Sequence, residues 1–149
     1  MDSPEIARER DELRRALGRA DDRNSRLRVF ERLVRIDTRL QSFDPLTDDL
    51  EIVNLDIEGR QETWTDVLRL QDDGVQPAEF AAITAPVVML HGDTDPHPGT
   101  MIRDSLSPFI TGLQYIEFPR CGHIPWIERQ ARDAFLRELR SQLRDALGK

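Results

Sequence analysis

The 149-residue chain has a single cysteine, Cys121. That excludes an internal disulfide and fits a reducing compartment. Lysine is nearly absent: Lys149 stands alone and the other basic residues are arginine, a skew of the kind a GC-rich genome produces. Aromatics make up only 6% and hydrophobic residues 38%, against 33% charged, so the apolar supply for a core is lean. No apolar run approaches the ~20 residues needed to span a bilayer. The start, Met1-Asp2-Ser3-Pro4-Glu5, lacks the basic and apolar regions of a signal peptide. Positive charge is not in excess either. The net charge of −7 argues against a nucleic-acid partner, for which a basic patch is expected. The expectation is a cytoplasmic protein with no membrane and no nucleic-acid partner.

The length suits one domain of about 100–200 residues. The excess negative charge is concentrated in residues 46–85, with 10 acids against 2 arginines, and reads as a solvated face. The Arg-rich faces of residues 8–39 are interleaved with acids and read the same way. Residues 4–20 are expected to form a helix, with Ser3 as cap, Pro4 in the first turn and a thin stripe of Leu13, Ala16, Leu17 and Ala20. A stronger helix is expected over 25–42, where Val29, Leu33, Ile36 and Leu40 repeat at helical spacing and Phe30 and Val34 widen the face. Asp44-Pro45 closes it. Residues 46–59 give only a weak strand signal from Val53, Leu55 and Ile57. A helix over 61–73 carries Trp64, Val67 and Leu68 and stops at Gly74. Pro77-Ala78-Glu79-Phe80 begins a short helical turn.

From about residue 84 the pattern changes. Val87 to Leu90 is a continuous apolar run, as in a strand buried on both faces of a parallel sheet. A short helix over 99–107 carries Met101, Ile102 and Leu106, and Tyr115, Ile116 and Phe118 form a second strand. A long helix is expected from Pro125 to Leu147, with Ala131, Phe135, Leu139 and Leu143 in line. The fold class is therefore α/β: a helical region over 1–84, then a βαβα unit over 85–149 with two parallel strands. In such a unit both loops after the strands leave at one edge of the sheet, where catalytic groups collect. Asp95 follows the first strand and His123 the second. A carboxylate that accepts the imidazole Nδ1–H fixes the tautomer and stabilises the imidazolium.

These residues carry a resemblance. His91-Gly92-Asp93-Thr94-Asp95 and Cys121-Gly122-His123-Ile124-Pro125-Trp126-Ile127-Glu128 resemble the two motifs of the α/β-hydrolase superfamily in which an apolar strand leads into Gly-x-x-Asp and a later Gly-His precedes a proline and an acid. The resemblance covers residues 85–146. It implies that Asp95 is the triad acid, with Asp93 as the fallback, and that His123 is the general base. It also implies that residues 1–84 correspond to a helical cap. The family's nucleophile elbow, G-x-S-x-G, is missing: none of Ser3, Ser25, Ser42, Ser105, Ser107 and Ser141 has glycines at those flanks. The chain is thus expected to be the C-terminal part of an α/β-hydrolase-fold serine hydrolase. It would carry acid and histidine but no nucleophile, would be inactive alone, and would act on a small molecule through an ester-like bond when complete. The partner would be a missing N-terminal half or a second copy. The alternative is a non-catalytic binding or complementation module that associates through its open sheet edge.

Other chemistries fit less well. Cys121, two residues from His123 on the same loop, points poorly for attack. His91, Asp93, Asp95, His97 and His123 are of metal-ligand type, but their spacing matches no signature, so no metal and no cofactor is expected. The run into Asp93-Thr94-Asp95 is also similar to the haloacid dehalogenase phosphatases, yet only 54 residues follow Asp95, too few for their downstream motifs. Trp64 and Trp126 read as packing residues.

Overall fold

The computed structural model describes residues 4–47 and 56–148. Five helices and two strands follow in the order α1 (Pro4–Arg19), α2 (Arg23–Leu40), α3 (Ile57–Asp72), β1 (Val88–Gly92), α4 (Gly99–Leu106), β2 (Gln114–Phe118) and α5 (Arg132–Ala146). Short 3-10 turns sit at Ala78–Ala82 and Pro125–Ile127. The class is mixed α/β. Among the described residues no helix is long and apolar enough to cross a membrane. The chain divides into two compact units, Met1–Leu40 with Thr47–Trp64, and Gln41–Leu46 with Thr65–Lys149.

In the first unit α1 packs on α2. α2 starts at Arg23 because the Asp22 carboxylate caps it, accepting the Ser25 N–H at 2.9 Å. The Ser25 hydroxyl, and then this N–H, hold the Asp22 carboxyl below its ordinary value. Phe30 and Leu33 are the buried residues of α2, as its periodicity predicts. α1 buries none of its side chains fully, in keeping with its thin stripe. Ion pairs join the surfaces: Arg32 with Glu9, and Arg10 with Asp37 at 3.9 Å. Asp56 caps α3 through the Gly59 N–H at 3.0 Å. The expected strand over 46–59 is not what Ile57 joins: it opens α3 and is buried, while Val53 and Leu55 lie outside the described residues, as does Ser3. Trp64 and Leu68 are exposed rather than packed.

In the second unit β1 pairs with β2 in parallel, Val88 opposite Gln114 through Gly92 opposite Phe118. One core forms from Phe118, Cys121, Ala131 and Phe135, with Leu90, Ile116 and Leu139 packed against it. The Phe118 and Phe135 rings meet edge to face at 5.8 Å. β1 is only half-buried over Val88–His91, not buried on both faces. A continuous apolar run fits burial between two neighbours, and among the described residues β1 has one, β2.

The long C-terminal helix is also interrupted. Glu128 is extended, at φ −77° and ψ 122°. Its neighbours' amide and carbonyl groups bond to the segment 41–46 instead of continuing the helix: Leu46 N–H donates to Ile127 O at 2.7 Å and Arg129 N–H to Asp44 O at 2.9 Å. Pro45 bridges Glu128. Helical bonding resumes only from Glu128 O, which accepts the Arg132 N–H at 2.9 Å.

Candidate functional site

Parallel pairing sends the loops after β1 and β2 out at the same end, where Gly92 and Phe118 form the last pair. The loops are then stitched together. Asp93 N–H donates to Phe118 O at 3.0 Å and Thr94 N–H to Cys121 O at 2.9 Å. Thr94 Oγ1 donates to the same carbonyl at 2.8 Å, and Cys121 N–H donates to Asp93 Oδ1 at 3.1 Å. The approach is so close that a Cβ on Gly92 would collide with the backbone carbonyls of Cys121 and Gly122. Asp93 is thereby committed to the turn backbone. The carboxylate on His123 is Asp95.

Asp95 and His123 are 28 positions apart, and Nδ1 of the imidazole lies 2.8 Å from Oδ2. Because a carboxylate only accepts, Nδ1–H is the donor and Nε2 carries the lone pair of the neutral ring. The Asp95 side chain is 4% exposed and that of His123 48%. Nε2 makes no hydrogen bond to a described residue. Oδ1 of Asp95 accepts the His97 N–H at 2.8 Å, a two-residue Asx turn. Burial pushes the Asp95 carboxyl up, but the His97 amide, the His123 hydrogen bond and the nearby His123 and His91 rings outweigh it. The carboxyl therefore sits below its ordinary 3.8.

The chain's two other histidines also reach this carboxylate. His97 Nδ1 is 3.2 Å from Oδ1 and His91 Nε2 is 3.4 Å from Oδ2. His91 Nδ1 is 2.9 Å from Gly92 O. Asp95, His97 and His123 each offer a ligand atom, all within 4.8 Å of one another. The sequence names these residues as ligand types but conceals their convergence. His91 sits four residues before Asp95 at the end of a strand, and His97 reaches back only because the Asx turn folds it over.

Glu128 is the group that sequence reasoning used only as a motif letter. It is fully buried, and its carboxylate accepts three backbone amides: Phe43 at 2.8 Å and Gly122 at 2.9 Å on Oε1, Asp44 at 2.8 Å on Oε2. His123 N–H in turn donates to Gln41 O at 2.8 Å. The turn bearing His123 is therefore held at two successive amides, Gly122 by Glu128 and His123 by Gln41. A Cβ on Gly122 would strike Gln41 O. Cys121 is 0% exposed. Burial, then the charges of Glu128, Asp93 and Asp95, push its thiol up to about 12, so it offers no thiolate. Trp126 is half-exposed, its ring 5.9 Å from that of Phe135.

Comparison with models of protein families, with curated proteins and with solved structures finds no match.

Proposed function

We propose that this chain is the C-terminal part of an α/β-hydrolase-type serine hydrolase, with Asp95 as the orienting acid and His123 as the general base. One observation carries the reading. A buried carboxylate holds Nδ1 of a half-exposed imidazole at 2.8 Å, which leaves the lone pair on Nε2 with no hydrogen bond to a described residue. That tautomer accepts a proton from a nucleophilic hydroxyl, and the carboxylate then stabilises the imidazolium. In the complete enzyme the acyl-type intermediate is hydrolysed by a water that His123 deprotonates. The 149 residues contain no G-x-S-x-G, so the nucleophile comes from another polypeptide segment. A small-molecule ester-like substrate then lies between the two segments.

The same absence favours a second reading, a binding or complementation module that associates through β1, whose outer edge has no strand beside it among the described residues. Assays with p-nitrophenyl esters separate the two. The chain alone is expected to give background turnover, equal to that of His123→Ala. Fused behind a segment that supplies strand, elbow and oxyanion loop, it is expected to turn over ester, and Asp95→Asn in that fusion to lower kcat by about 10⁴-fold. Turnover by the isolated chain that His123→Ala abolishes would overturn the reading, as would a folded, elbow-bearing fusion whose turnover ignores both residues.

A further inference from the structure

We propose that Asp95, His97 and His123 form a site for one divalent transition-metal ion of the zinc, cobalt or nickel type. The inference goes beyond the hydrolase reading and stands without it. The chain has three histidines, and all three have a ring nitrogen within 3.4 Å of a single buried carboxylate. Two of the rings, His97 and His123, are about half-exposed or more, so an ion reaches them from solvent and water completes its shell. Their centroids are 5.6 Å apart with planes tilted by 54°. Two imidazoles on one tetrahedral ion, with metal–nitrogen bonds of about 2.0–2.1 Å, place their centroids roughly 5 Å apart, so a small rotation of two surface side chains closes the set. The two imidazoles select these ions over magnesium or calcium, which take oxygen ligands.

The third histidine flanks the site rather than joining it. His91 is mostly buried, with Nε2 3.4 Å from Asp95 Oδ2. It flanks the carboxylate from the strand side, and because its Nδ1–H donates to Gly92 O at 2.9 Å, the neutral ring turns a lone pair rather than a donor to Asp95.

The site has a chemical consequence for His123. An ion on Nδ1 replaces the hydrogen bond to Asp95, and the neutral ring then carries its proton on Nε2. That nitrogen can no longer accept a proton. Metal occupancy and general-base function therefore exclude one another at the same imidazole.

The test uses the untagged, chelator-washed full chain. Cobalt(II) titration is followed by the visible bands of a tetrahedral ion, and zinc affinity by competition with a chromophoric chelator. One equivalent is expected. His97→Ala removes a ligand while leaving the Asp95–His123 bond, and is expected to weaken zinc at least about 10-fold. Asp95→Asn weakens it comparably, and His91→Ala less. His97 is exposed, so far-ultraviolet circular dichroism should match the parent. Unchanged affinity in His97→Ala, or binding of no ion or of several without histidine dependence, would overturn the proposal. Neither result bears on ester turnover by the fusion.

Discussion

At the scale of single residues, Asp95 concentrates the most interaction on the fewest atoms. It is buried, it accepts the His97 amide and the His123 ring, and its carboxyl titrates below the ordinary 3.8. A carboxyl whose folded value is depressed adds stability above its unfolded value and loses it as pH falls through the folded one. The gap in urea midpoint between the parent chain and Asp95→Asn should therefore be full near pH 5 and close as pH is lowered to about 3 and below. A gap that stays constant over that range would mean the carboxylate is not the form the fold selects. Cys121 shows the opposite effect of burial. Its thiol is raised to about 12, and its neighbours are carboxylates rather than cations, so it packs and does not react.

Elements show where the sequence was legible. The helical repeat of Leu33 and its neighbours, the apolar run before His91 and the alternation around Ile116 each place an element within about two residues of its observed bounds, because each signal is local. The interruption between Ile127 and Arg132 was not legible. It depends on segment 41–46 supplying partners from across the chain, and no window of sequence contains both. For the same reason the Asp95–His123 contact followed from strand–loop logic, whereas the approach of His91 and His97 did not. Glu128 is the test of this clamp. Glu128→Ala strands three backbone amides and is expected to cost about 3 kcal/mol or more. Glu128→Gln keeps an acceptor for Phe43 and Gly122 but turns an amide donor toward the Asp44 N–H, and should cost roughly 1–3 kcal/mol. Urea denaturation of both variants checks the order, and equal, near-zero losses would show that the clamp is dispensable.

For the molecule as a whole, the sheet decides behaviour. Two strands are marginal as a sheet unless packing supports them, and here α5 packs over one face through Phe135 and Leu139. β1 reads Val-Met-Leu-His-Gly, with none of the lysines or prolines that protect edges. In the same unit Met101, Leu143 and Leu147 are more than half exposed. Sedimentation velocity over a 100-fold concentration range, on the order of 1–100 μM, is expected to show association that grows with concentration. A single monomer throughout, with a cooperative melt, would show that the free edge is inert.

The Glu128 carboxylate and the Phe43 amide are 85 positions apart. During synthesis the amides of segment 41–46 leave the ribosome long before their acceptor does. Until then they can bond only to water or to transient partners. Closing so long a loop delays the bond that immobilises the histidine turn. The chain therefore acquires its first helices early and its chemistry late, so that a stalled or shortened translation product would carry helical content but no oriented imidazole.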